Sequence, residues 1–148
     1  MIDYILTLIF SFAGIILGGI LALIAPEELK SGEKYFKILE WVFIAAMVLF
    51  IFYFSPTLLA VVASALLIIL KIFKKEYPAM AFVLLISHFE KFLFFAGALI
   101  FLYGLASGTL QAKPFVKSKM KALMFILRNN ILYLIFGFIL LPFLVAYS

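Results

Sequence analysis

Residues 84–95 read LLISHFEKFLFF, and they place three ionisable side chains between two apolar runs. Ser87 and Glu90 have the S-x-x-E spacing of a capping box, in which each side chain satisfies a free amide at a helix start. A helix that starts here forces the chain to turn back at Ser87. The stretch therefore predicts a turn that keeps His88, Glu90 and Lys91 in contact with water.

The composition indicates that lipid is the solvent of this chain. Of its 148 residues, 68% are hydrophobic and 13% are charged, whereas soluble domains are about 45–50% apolar and about 25% charged. A domain of this length folded in water buries only about 70% of its surface. Residues 4–25 carry no charge and follow no basic segment, which favours a membrane span over a signal peptide. We expect residues 1–148 to form one all-α, multi-pass domain of the cell membrane.

The number of spans follows from bilayer thickness, because about 20 apolar residues of helix cross about 30 Å of hydrocarbon. Residues 35–73 are nearly twice that length, and Ser55-Pro56 supplies the N-cap and first residue of a new helix within them. The basic amphipathic stretch before residue 130 predicts an interfacial helix that leads into the last span. We predict a helical bundle of six transmembrane helices, at about residues 4–25, 35–54, 56–73, 77–89, 88–107 and 130–147.

The segment PEELKSGEKYFK, residues 26–37, connects the first two predicted spans. Pro26 followed by two glutamates is typical of the first turn of a helix. We expect Ser31-Gly32 to interrupt that helix before the second span. Glu33 and Lys37 have the i,i+4 spacing and polarity of a favourable ion pair.

The distribution of basic residues favours six spans with both termini outside. Eleven of the twelve basic residues then lie on the inner side: Lys30, Lys34, Lys37, Lys71, Lys74, Lys75, Lys113, Lys117, Lys119, Lys121 and Arg128. The positive-inside rule expects this bias on the cytoplasmic side, where anionic headgroups attract Lys and Arg. The alternative is one helix over residues 77–107, which gives five spans and moves four of these lysines outside.

The predicted topology assigns different environments to two groups of charged side chains. In six spans, Lys71 lies near the end of the third span and extends its ammonium group to water. In five spans, His88, Glu90 and Lys91 are buried and can pair with Arg128 as a proton or ion relay. The Lys113, Lys117 and Lys121 side chains recur every four residues, so we expect them to contact anionic lipid.

Small residues recur on the first predicted span. Gly14, Gly18 and Ala22 have four-residue spacing, which lets another helix backbone approach closely within a membrane. That helix belongs either to the same bundle or to another subunit. The third span, with Ala60 and Ser64, and the fifth span, with Gly97 and Gly104, are both possible partners. The face predicts close helix packing in both cases.

The sequence shows no pattern typical of a metal site, a catalytic site or a nucleic-acid-binding surface. The chain has one histidine and no cysteine, which leaves too few ligands of the usual kinds for a zinc site. No serine, histidine or acidic pair has the spacing of a catalytic constellation, and no basic-aromatic surface indicates nucleic-acid binding. We therefore expect no catalysis, no metal and no cofactor.

Two functions are consistent with these features. The first is a non-catalytic subunit or scaffold of a membrane complex, which associates with itself or a larger partner through the Gly14, Gly18 and Ala22 face. The alternative is a small oligomeric transporter or channel for a solute or ion. Transporters generally place ionisable groups within the membrane, and the six-span topology leaves none there. The sequence therefore favours the scaffold.

Overall fold

The computed structural model describes residues 2–54, 58–73, 76–89, 92–115 and 118–142, apart from the side chains of Glu28, Lys30 and Leu59. Every regular element in these ranges is helical, as the composition predicts. The helices are α1 Ile2–Ile24, α2 Pro26–Phe54, α3 Leu58–Ile72, α4 Tyr77–Phe89, α5 Leu93–Ala112 and α6 Lys119–Ile139, with a 3-10 turn at Lys113–Phe115.

Helix α2 begins at Pro26, in agreement with the sequence. The break predicted at Ser31-Gly32 is wrong, because the helix continues through both residues for 29 residues, which is about 43 Å. A single glycine costs a helix only about 1 kcal/mol. The predicted pair of Glu33 with Lys37 is present at 2.8 Å and supports the helix across this point.

The chain turns back between α4 and α5. The amide of Phe92 donates to the carbonyl of Ser87 at 3.0 Å, and the ring of Tyr77 at the start of α4 lies 5.9 Å from that of Tyr103 in α5. The two helices are therefore antiparallel. The capping role of Ser87 is wrong, because its hydroxyl group donates to the carbonyl of Leu84 within α4 and α5 starts only at Leu93. A serine in a helix often bonds back in this way.

Helix α6 differs from its prediction. The sequence indicates an interfacial helix and a separate span over residues 130–147, whereas one helix runs from Lys119 to Ile139. Its first ten residues are rich in Lys, Leu, Met and Ala, which are strong helix formers, so no local signal ends the helix. The final residues of the predicted span, like the predicted helix start at Ser55-Pro56, lie outside the described residues.

Helices α1 and α5 are parallel and in close contact. A Cβ atom added to Gly14 would lie 2.9 Å from the carbonyl carbon of Phe101, and one added to Gly18 would lie 2.8 Å from that of Leu105. On α5, a Cβ atom at Gly104 would meet the amide nitrogen of Ile15 at 2.8 Å. Glycines on both helices thus let the two backbones touch. The close partner that the sequence predicts for α1 is therefore α5 of the same chain.

Helix α6 packs against α1 in the opposite direction. The hydroxyl group of Tyr4 donates to the carbonyl of Gly137 at 3.3 Å, near the start of α1 and the end of α6. Further along, a Cβ atom at Gly19 would meet the side chain of Ile126. Helices α1, α5 and α6 therefore pack against one another, and α4 contacts both α5 and α6.

Four helices have the length and apolar character to cross a membrane: α1, α2 from Ser31, α5 and α6. The other two are shorter, with 15 residues in α3 and 13 in α4. These correspond to about 22 and 20 Å, less than the roughly 30 Å of a bilayer core. Helices α3 and α4 form a hairpin, and we call its two ends at Lys71 and Glu76 the hairpin tip, which lies against α2 and α5.

We predict that Gly14→Ala lowers the free energy of unfolding by about 1–3 kcal/mol, because the new methyl group collides with the backbone of α5. Gly32→Ala is the matched control: its Cβ atom would meet only the flexible side chain of Phe36, at 3.1 Å. The control should be neutral or gain up to about 1 kcal/mol in helix propensity. Unfolding of both variants by SDS in mixed micelles measures the difference, and equal transitions would contradict the contact.

Candidate ion-binding site

Four side chains from four parts of the chain meet inside the bundle. The ammonium group of Lys71 donates to Glu40 Oε2 at 2.7 Å, to Tyr103 OH at 2.6 Å and to Glu76 Oε1 at 3.3 Å. The hydroxyl group of Tyr103 in turn donates to Glu76 Oε1. We call Glu40, Lys71, Glu76 and Tyr103 the charged cluster.

The hairpin tip brings the charged cluster together. Lys71 lies in the last turn of α3, and Glu76 immediately precedes α4. Glu40 comes from α2 and Tyr103 from the middle of α5, on the two long helices that flank the tip. The Lys71 ammonium group also lies 4.9 Å from the centre of the Tyr103 ring, which adds a cation–π contact.

The charged cluster is shielded from solvent. The exposed fraction of the side chain is 9% for Lys71, 13% for Glu40 and 5% for Glu76. The expectation that Lys71 extends to water is therefore wrong. Its ammonium group points instead at carboxylates that the sequence places far away along the chain, and three acceptors around it replace the hydration that snorkelling would keep.

An ion pair at one end of the bundle shows how deep the charged cluster lies. Glu33 of α2 accepts a bond from Lys113, just after α5, and we call this the basic end. Glu40 follows Glu33 by seven residues and Tyr103 precedes Lys113 by ten. At 1.5 Å per residue, the cluster lies about 10–15 Å inside the basic end.

The charges of the cluster do not balance. Two carboxylates, Glu40 and Glu76, surround the single ammonium group of Lys71, which leaves one surplus negative charge when all three are ionised. Glu76 Oε2 is buried and has no hydrogen-bond partner among the described residues. A buried polar atom without a hydrogen bond is costly. The arrangement can therefore accept one proton or one monovalent cation at Glu76.

A second buried polar group lies beside Glu76. Tyr77 is 4% exposed, and its hydroxyl group faces Ser107 and Gln111 without completing a hydrogen bond to any described residue. Its hydroxyl group can still donate and accept a hydrogen bond, whereas Glu76 Oε2, when ionised, can only accept one.

The two described residues of the relay in the five-span alternative, His88 and Arg128, are not buried. His88 is partly exposed at the end of α4, where its ring lies 6.0 Å from that of Tyr4. Arg128 is exposed on α6 and forms no ion pair with a described residue. Glu90 and Lys91 lie outside the described residues.

The two described lysines that the sequence assigns to lipid contact, Lys113 and Lys121, do not lie on the same helix. Lys113 belongs to the 3-10 turn and pairs with Glu33, whereas Lys121 is exposed on the first turn of α6. The helix break between these two lysines separates their directions. Lys117 lies outside the described residues. Lipid contact at Lys121 stays a prediction.

The sequence contains only indirect signs of the charged cluster. Glu40 and Lys71 border the uncharged run of residues 41–70, so both lie next to apolar residues along the chain. Tyr103 carries no such sign, because tyrosine is also common at membrane interfaces. These side chains converge because of where α3 ends within the bundle. The predicted third span does not indicate how deep in the bundle that end lies.

Within the described ranges, no three His, Asp or Glu side chains come together as ligands for a metal ion. Neither a protein-family model, nor a curated protein, nor a solved structure matches this chain. The candidate site is therefore defined by its geometry.

We predict that Lys71→Met lowers the free energy of unfolding by about 3–5 kcal/mol, because it leaves two buried carboxylates without their cation. Lys37→Met is the control, since it removes an equally charged side chain from an exposed pair with Glu33. SDS titration in mixed micelles measures both, and the control should match the wild type. A Lys71→Met transition that also matches the wild type would show that the cluster does not hold the hairpin.

Proposed function

We propose that this protein is a small membrane transporter that binds a proton or monovalent cation at the charged cluster and passes it across the bilayer. The observation that carries the proposal is the surplus negative charge within the charged cluster, with Glu76 Oε2 buried and without a hydrogen-bond partner among the described residues. Ionisable groups inside a membrane bundle mark ion and proton pathways more often than structural contacts. This is the alternative to the scaffold that the sequence favours.

The proposed topology has four spans and a hairpin that enters the membrane without crossing it. Helices α1, α2, α5 and α6 span the bilayer, and α3 with α4 enters from the side where α2 ends. Helices buried within the protein can end at such depth, because their free backbone groups face protein and not lipid. The basic end then faces the cytoplasm and both termini lie outside.

The charged cluster suggests how binding changes the site. Lys71 is shared between Glu40 at 2.7 Å and Glu76 at 3.3 Å. When Glu76 takes up a proton, it loses its attraction for the ammonium group, and Lys71 moves fully onto Glu40. When the proton leaves, Lys71 returns to its shared position. The ion at Glu76 and the placement of Lys71 are therefore coupled, and Lys71 connects that change to α3.

The scaffold function stays a prediction. It relies on Gly14 and Gly18, whose backbones lie against α5, and on Ala22, which is buried. A partner helix has no access to the glycines while α5 covers them. Lipid contact accounts for the exposed apolar side chains on α2 and α3, so no surface of the described residues specifically favours a protein partner.

We predict that single cysteines in this cysteine-free chain react from opposite sides of the membrane at Phe89→Cys and Lys119→Cys. Both native side chains are exposed, at the end of α4 and the start of α6 respectively. The Lys119→Cys variant should react with an impermeant maleimide only from the cytoplasmic side. Labelling of both positions from the same side would contradict the proposed topology.

We predict that the purified protein dissipates an ion gradient when reconstituted into liposomes, and that Glu76→Gln reduces the flux to that of protein-free vesicles. The substitution keeps the shape of the side chain but removes the charge that holds the ion. Glu33→Gln is the control, because it removes a carboxylate at the basic end, outside the cluster. Flux is followed with internal dyes for pH, Na⁺ and K⁺. A wild-type protein without flux of any of these ions would contradict the proposal.

A further inference from the structure

A shallow groove runs along the outer face of α2, and its first residues lie at the basic end. The volume of the groove is about 470 Å³. Its six lining side chains recur at intervals of three and four residues, which places them on one face of the helix. We call it the α2 groove, and it is lined by Lys34, Lys37, Ile38, Trp41, Val42 and Ala45.

The side chains of the α2 groove are not covered by the described part of the protein. The exposed fraction is 50% for Ile38, 51% for Trp41 and 52% for Val42, and Ala45 is exposed below them. Among the four helices that are apolar enough to cross a membrane, α2 is the least enclosed, with 17% of its apolar stretch buried. An exposed tryptophan on such a helix is typical of the boundary between lipid headgroups and acyl chains.

The polar and apolar parts of the α2 groove lie at different depths. Lys34 follows directly after Glu33 of the basic end, whereas Ala45 lies eleven residues further along α2, about 16 Å deeper. The Cα–Cβ bonds of a helix tilt toward its N-terminus, so the lysine side chains lean away from the apolar part and toward the basic end. The groove therefore has ammonium groups at its outer end and apolar side chains below them, which is the order of a headgroup above an acyl chain.

The outer end of the α2 groove carries a net positive charge. Glu33 accepts bonds from Lys37, at 2.8 Å, and from Lys113, so one carboxylate is shared by two ammonium groups. Lys34 forms no ion pair with a described residue. Glu27 precedes Lys34 by seven residues, which is about 10 Å farther from the apolar part. An anionic group at the outer end would therefore meet uncompensated positive charge.

We infer that the α2 groove binds one anionic phospholipid, whose phosphate group lies between Lys34 and Lys37. One acyl chain then follows the apolar side chains deeper in the groove, beside Trp41. Basic residues at the membrane surface attract anionic headgroups, whereas the apolar part alone would accept the acyl chain of any phospholipid. This site lies on the outer face of α2 and does not depend on the proposed transport function.

The fluorescence of Trp41 provides the test, because it is the only tryptophan of the chain and bromine atoms on a contacting acyl chain quench it. The protein is reconstituted into phosphatidylcholine bilayers that contain increasing fractions of brominated phosphatidylglycerol or brominated phosphatidylcholine. The two quenching curves give the relative binding constant of the anionic lipid. The test variant is Lys34→Gln/Lys37→Gln. Its matched control is Lys119→Gln/Lys121→Gln, which removes the same charge from exposed positions on α6.

The wild type should prefer phosphatidylglycerol, and the Lys34→Gln/Lys37→Gln variant should lower its relative binding constant by about tenfold or more. The control pair and Lys34→Arg/Lys37→Arg should retain the preference, since both keep two cations at the groove. Equal binding of the two lipids by the wild type would overturn the inference, as would an equal loss in the control pair. Trp41 that neither lipid quenches would show that a second copy of the protein covers the groove, which also excludes the lipid.

Discussion

The ammonium group of Lys71 joins helices that the chain separates widely. Its acceptors are Glu40 on α2, Glu76 before α4 and Tyr103 on α5, so one cation fixes the tip of the hairpin to both flanking helices. In a low-dielectric interior such an attraction is strong, but so is the cost of removing the charges from water. The position of α3, the direction of α4 and the depth of the charged cluster all depend on this balance.

The rest of the bundle relies on a different kind of contact. Helices α1 and α5 meet backbone to backbone at Gly14, Gly18 and Gly104, where van der Waals packing replaces a hydrophobic driving force that lipid does not supply. The hydroxyl group of Thr109 adds a bond to the carbonyl of Gly18 at 3.0 Å. This tightly packed pair gives a fixed frame, against which the short hairpin presents its charged tip.

The two kinds of contact suggest a division of roles within the proposed transporter. The apolar glycine contact has one closely packed arrangement, whereas Lys71 has two carboxylates and can be held by either. A charge that is shared between two partners responds to a single proton, which a packed glycine face cannot do.

The sequence by itself determined the class of fold and several local events. Hydrophobic content predicted an all-helical bundle with helices apolar enough to cross a membrane, Pro26 placed the start of α2, and the polar residues after Ile86 marked the turn toward α5. Those features depend on residues that are neighbours along the chain. The capping box at Ser87 failed because the local pattern does not show that α4 continues to Phe89 and that α5 begins only at Leu93.

Only the tertiary structure decided which helix covers the small residues of α1 and what surrounds Lys71. The spacing of Gly14 and Gly18 requires a close partner but does not choose it, because glycine faces carry no complementary charge or shape code. Lys71 could extend to water or remain inside, and the outcome depends on carboxylates contributed by distant segments. The depth of a side chain in a bundle depends on where its helix ends and on which helices pack around it. The periodicity of a single helix carries no information about either.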